Sequence, residues 1–203
     1  MSALARPLLL LALGLPLSLH AQPTATATAS ETAPVAVNFV PSFFLVGHKV
    51  KLNGLPAAGS DQSQTYAAGL YVVKASRNLA EAVASPGPKR LQMQMLREAE
   101  SQLLGKLISQ AFTAGVPRNE IAPCFAGLAK LGQAFSTKRK LAAGDQVSLD
   151  WVQTQGTHIL INNERVGLIE GPAFFNCVLS AYVGPQSPDA KLRAALLNPQ
   201  PSK

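Results

Sequence analysis

Few residues in this chain have the types and spacing that chemistry needs. Tyr66 and Tyr71 stand five positions apart in an apolar run, Thr65-Tyr-Ala-Ala-Gly-Leu-Tyr-Val-Val. Side chains alternate along a strand, so these two phenols face opposite sides. Each can hydrogen-bond a ligand, or pack as a core aromatic with its hydroxyl at the rim. Arg97 ends an alternating segment, where its guanidinium can meet an anionic head group or pair with Glu98, Glu100 or Asp150. His158 follows Thr157 with no carboxylate or nucleophile close in sequence, so it is not assigned as a base. Cys124 and Cys177, taken with His48 and His158, fall at no zinc-site spacing. The two cysteines can form a disulfide in an oxidising compartment or stay as two buried thiols. There is no nucleophile elbow and no glycine-rich phosphate loop. No catalytic residue, metal site or cofactor is assigned.

The elements that hold these residues can be read from periodicity. Residues 37–46 are rich in β-branched and aromatic side chains and read as an opening strand broken by Pro41. Lys49-Val-Lys-Leu alternates as a second strand, and Asn53-Gly54 is expected to turn the chain into a loop over 55–63. The tyrosine run is a buried strand. Asn78 caps a short helix beginning at Leu79, and Pro86-Gly-Pro stops it. Residues 90–96 alternate as a strand, with Leu91, Met93 and Met95 on one face.

Residues 98–114 place Leu103, Leu107, Ile108, Ala111 and Phe112 at helical spacing, with Gly115 as the stop. Leu107 and Phe112 are core positions first and cleft lining second. A second amphipathic stretch covers 119–135, bent or restarted by Pro123. Three strands follow, over 146–152, 157–161 and 165–169, as a meander turning at Asn162-Asn163 with Trp151 in its core. Pro172 opens a helix through Tyr182, and Ser187-Pro188-Asp189 caps a last one with proline just inside. Strands arriving mostly as hairpins imply an α+β domain, an antiparallel sheet with helices layered on one face.

The chain opens with Arg6, an apolar run and a small-residue cleavage context at His20-Ala21, so residues 1–21 read as a secretory signal peptide. The run is too short for a stable membrane span. Residues 22–36, rich in Thr and Ala, cannot bury enough surface to order themselves and read as a linker. The folded domain is then 37–203. Export implies the periplasm or the medium. The formal net charge is +7, but the basic residues are scattered. The densest run, Lys138-Arg139-Lys140, reads as a solvated turn between a helix and a strand. Scattered charge and export together argue against nucleic acid as a partner.

Several segments, taken in order, resemble the bacterial chalcone-isomerase-like family over roughly 49–197. They are Leu52-Asn-Gly54, Tyr66-Ala-Ala-Gly-Leu-Tyr71, the stretch from Pro86 to Arg97, Gly144-Asp145 through Asp150, Gly156-Thr157 with Asn162 and Gly167, and Ala181-Tyr-Val-Gly184. The resemblance implies an open-faced β-sandwich, a large antiparallel sheet covered on one face by helices, with a cleft between the layers. In plant enzymes of the family the cleft closes a flavanone ring, and in related proteins it holds a fatty acid. Both uses depend on an arginine that falls near Ala58 in this sequence. No Arg or Lys occurs anywhere from Leu55 to Gln64. Without that cation, burying a reactive oxyanion is costly.

The resulting expectation is a non-catalytic exported protein. It would bind a fatty acid or another apolar small molecule in the cleft, with Tyr66, Tyr71, Arg97 and Phe112 as the ligand-contacting candidates. The alternatives are an envelope interaction module without ligand, and an isomerase or lyase for a phenolic or enone substrate. The last requires that Arg97, Lys106 or Arg118 turn inward.

Overall fold

A computed structural model describes residues 36–58 and 64–199. The expected signal peptide and most of the expected linker lie outside the described residues. The first strands are β1 (Ser42–Leu45) and β2 (His48–Leu52), a hairpin turned through Val46 and Gly47, both at positive φ. Then come β3 (Ala57–Ala58), β4 (Tyr66–Val72), α1 (Leu79–Ala84), β5 (Lys89–Met95), β6 (Ala99–Glu100), α2 (Ser101–Gly115), α3 (Ala122–Ser136) and β7 (Lys140–Leu141). The chain ends in β8 (Gln146–Val152), β9 (Gly156–Ile161), β10 (Glu164–Ile169), α4 (Ala173–Val183) and α5 (Ala190–Leu196).

The main sheet is antiparallel throughout, in the order β1-β2-β4-β5-β8-β9-β10, with β3 also paired to β4. The meander turns at Asn162-Asn163, both at positive φ, the conformation a two-residue hairpin loop needs. Tyr66, Leu70, Leu91, Met93, Val147, Leu149 and Ile159 join α2, α3 and α4 in one buried core. The α4 helix is buried nearly all round, because α1, α2, α3 and α5 all pack against it. Cys124 of α3 and Cys177 of α4 are joined by a disulfide, with Cα atoms 6.1 Å apart.

The opposite face of the sheet is not left bare. Asn38 N donates to Gln94 Oε1 at 2.8 Å, and Gln94 Nε2 donates back to Ala36 O. Tyr71 donates to Val40 O at 2.9 Å. The Phe43 ring stands edge-on to Tyr71 and lies under the Arg90 guanidinium, 4.6 Å from it. Arg90 in turn makes a two-pronged ion pair with its cross-strand neighbour Asp150, at 2.6 Å on each arm. Residues 36–41 therefore form a strap over this face. Only 42–45 of the expected opening strand is regular, because side chains of β4 and β5 satisfy the strap's backbone groups.

Other expectations need correction. Asn53-Gly54 does not reverse the chain. Asn53 N donates to Leu70 O, and the chain stays beside β4 until β3, so the reversal falls between β3 and β4. The Asn53 side chain is spent on tertiary bonds: it donates to Ser76 O and Leu196 O and accepts from Ser76 N. A Cβ on Gly54 would sit 2.0 Å from Ala195 O, so only glycine admits α5 here.

Likewise Gly115 is the last residue of α2, not a stop beyond it, and a Cβ there would stand 2.9 Å from the Ala181 Cα. It permits α2 to pack closely on α4. Residues 99–100 are strand rather than helix, held to β7. The last helix is capped by Asp189, not Ser187: Asp189 accepts from Leu192 N at 2.9 Å, and Pro188 precedes the helix. At the basic run, Lys138 pairs with Asp145 and Lys140 with Glu98.

Candidate functional site: a groove between β4, α2 and α4

Two rows of apolar side chains run along α2. Leu104, Ile108 and Phe112 point into the core and are fully buried. Leu107 and Ala111 lie on the neighbouring row and are only partly buried. Helical residues three or four apart share a stripe, so the second row continues as Leu107, Ala111 and Ala114. That row forms one wall of a half-open groove of about 320 Å³. Tyr66 and the C-terminal part of α4, with Ala181 and Tyr182, complete its base, and Ser187, Pro188 and Asp189 stand on its other side. The volume is at the lower end of the range for small-ligand clefts, about 300–1,000 Å³.

Tyr66 and Tyr182 supply polar atoms at the base. Their hydroxyl oxygens are 3.1 Å apart, and Tyr182 Oη also lies 3.9 Å from Met93 Sδ. Burial pushes the Tyr182 phenol well above its ordinary pKa, and the charge and hydrogen bond of Tyr66 push it further. Tyr182 is therefore a neutral hydrogen-bonding group at any working pH. The remaining lining is apolar apart from Gln110, Ser187 and Asp189.

The candidates named from sequence separate here. Tyr66 lines the groove. Tyr71 does not: it faces the strap, where burial raises its phenol to about 12 despite the opposing charge of Arg90. Phe112 is in the core, its ring 5.5 Å from that of Phe174, while its neighbour Leu107 takes the lining position. Arg97 is exposed and donates to Thr65 Oγ1 at 3.1 Å, outside the lining, and Lys106 and Arg118 are exposed as well. Among the described residues, two buried cations stand elsewhere. Arg90 is on the strap side, ion-paired with Asp150. Lys89 shares the helix-covered face but starts β5, whereas Met95 at its other end pairs with Tyr66. Six residues of strand put Lys89 about 20 Å from the groove.

Sequence reasoning missed Tyr182. The signal was present, since Tyr182 is a large polar-tipped residue in a mostly apolar helix and sits in Ala181-Tyr-Val-Gly184. His158 lies opposite Asp150 on β9, and burial and the Arg165 charge lower its pKa, against the pull of Asp150. Trp151 stacks on Phe175 at 6.4 Å between sheet and α4. Among the described residues no group of three or more His, Cys, Asp or Glu could hold a metal ion, and no helix is long and apolar enough to cross a membrane.

The sequence matches the chalcone isomerase-like family over residues 32–198. The chain belongs to that family. The match reaches further towards the N-terminus than the segments read from sequence, and it takes in the strap. A solved structure of a fatty-acid binding protein from Arabidopsis thaliana shares the chalcone isomerase-like fold with a TM-score of 0.61. The two sequences are 13% identical, and the superposition covers 78% of this chain and 90% of that one. No curated protein matches the chain. Within the family fold, the groove occupies the junction between sheet and helices, and the position near Ala58 belongs to the short β3 beside β4.

Proposed function

We propose that this protein is an exported, non-catalytic carrier that holds an apolar small molecule, such as a fatty acid, in the groove beside Tyr66 and Tyr182. The observation that carries the proposal is the unfilled second row of α2. Leu107, Ala111 and Ala114 present apolar surface to a cavity that no side chain of the described residues fills. Apolar surface left open to water costs roughly 25 cal/mol per Å², and a ligand's acyl chain recovers it. The fatty-acid binding protein of the same fold supports this reading. The lining residues include no Lys or Arg. No cation of the lining stands beside the phenol pair to stabilise a phenolate or enolate, which argues for carriage over isomerisation. The amino-terminal charge-and-apolar pattern supports export to the periplasm.

The test is native mass spectrometry of the purified protein, with thermal melting in the presence of added fatty acids and fatty alcohols. Retained lipid, or a melting temperature that climbs with ligand concentration, is the expected result. A chain that carries no lipid and whose melting never responds is not a carrier.

A second reading has one observation in its favour. Four exposed large apolar residues, Val37, Val40, Phe44 and Val46, fall within the strap, β1 and the turn that follows it. A grouping of this kind suits docking on an envelope protein. Specific capture of a single envelope partner, abolished by Phe44→Ser, would support it.

A further inference from the structure

We infer that the groove selects a single-chain amphiphile with an uncharged head group, such as a fatty alcohol or a monoacylglycerol, and discriminates against an ionised carboxylate. The inference rests on the carrier reading and narrows its ligand class.

Among the described residues, every polar side chain that lines the groove is neutral or negative. Tyr66 and Tyr182 offer phenols, Gln110 a carboxamide, Ser187 a hydroxyl and Asp189 a carboxylate. The Asp189 carboxylate is fixed in place, because it accepts from Leu192 N at the start of α5. The cations near these elements, Lys191 on α5 among them, lie outside the lining. Arg193 donates to Gly184 O and Pro185 O, beyond the end of α4. Arg97 donates to Thr65. Lys106 is exposed on α2 and is not part of the lining. Residues 59–63, Gly-Ser-Asp-Gln-Ser, contain no cation.

A carboxylate entering this site would lose water without gaining a counter-charge and would face Asp189. A hydroxyl or an ester carbonyl needs only a hydrogen bond, and phenols supply it. A head group seated at the Tyr66–Tyr182 pair would leave its chain along the apolar row of α2.

The experiment is displacement of an environment-sensitive apolar fluorophore from the purified protein by decanol, monodecanoylglycerol and decanoate at neutral pH. The two neutral amphiphiles are expected to displace it at concentrations at least tenfold lower than decanoate. Part of that gap is the lower intrinsic hydrophobicity of the anion, and two variants remove this contribution. Gln110→Lys places a cation at the exposed rim, and Asp189→Asn removes the anion while keeping a capping oxygen. Each is expected to move the decanoate-to-decanol preference at least threefold towards decanoate. Decanoate binding as tightly as decanol to the unaltered protein, or a preference that neither variant moves, overturns the inference and leaves the carrier reading standing. A protein that takes up neither the fluorophore nor any of the three amphiphiles overturns both.

Discussion

The hydroxyl oxygens of Tyr66 and Tyr182 lie 3.1 Å apart although 116 positions separate the two residues in sequence. One begins the interior strand β4 and the other sits in the last turn of the buried helix α4. Their meeting closes the base of the groove and places two neutral polar groups in an otherwise apolar wall. Replacing Tyr182 by Phe keeps the ring and removes one hydroxyl. Ligand affinity is expected to fall about threefold to tenfold, the worth of one hydrogen bond. Fluorophore displacement measures it, and circular dichroism checks that the fold is intact.

The Cys124–Cys177 bridge spans 53 residues and ties α3 to α4. By loop-closure entropy, removing it is expected to cost about 4 kcal/mol. Thermal melting of the Cys124→Ser, Cys177→Ser double variant, and of the unaltered protein with and without reductant, is the check. Melting curves that superpose would show that the bridge contributes nothing.

Opposed glycine substitutions separate close approach from helix propensity. Gly54→Ala drives a methyl group into Ala195 O and is expected to destabilise by about 2–3 kcal/mol. Gly132→Ala, in the interior of α3 with open space around it, is expected to stabilise by about 0.5–1 kcal/mol. Urea denaturation of the two variants reads both signs.

On the strap face, Asp150→Asn leaves the buried Arg90 guanidinium, stacked on the Phe43 ring, without its counter-charge. The expected loss is about 3–5 kcal/mol of stability. Ligand affinity is expected to hold, because this pair and the groove lie on opposite faces of the sheet. A parallel loss of binding would mean that the two faces are coupled.

Asp145 gives the pH dependence a sign. Burial resists its ionisation, but hydrogen bonds from Lys138, Asn162 and the Ala142 amide, with the Lys138 charge, outweigh burial and hold its pKa below the ordinary value. A depressed carboxylate contributes stability that is present above its unfolded pKa, about 4, and is lost as pH falls through the lower folded value. Asp145→Asn is expected to flatten the acid limb of the stability profile. An acid limb unchanged in the variant would place the effect on other carboxylates.

Local pattern carried most of the secondary structure. The 146–152 strand, the Asn78-capped α1 and the Asn162-Asn163 hairpin were legible because alternation, a capping side chain and a positive-φ turn act over only a few residues. The opposite facing of Tyr66 and Tyr71 was legible for the same reason. The misreadings at Asn53-Gly54 and Gly115 share a cause. Each residue type has an ordinary local use, and here tertiary neighbours set its role: α5 against Gly54 and α4 against Gly115. The misreading at Ser187 is local, a choice between two capping residues two positions apart.

By itself, then, the sequence determined the α+β class, the order of the longer elements, the family and the absence of a cation between Leu55 and Gln64, all properties of short windows or of motifs in a fixed order. Only the tertiary structure decided that Tyr66 meets Tyr182, that Leu107 and not Phe112 faces the groove, that Tyr71 lies under a strap, and that the two cysteines are bonded. Those outcomes depend on how helices rotate and dock on the sheet. A shift of one residue around α2 exchanges a core side chain for a lining one, and no local pattern records which apolar row its neighbours will leave open.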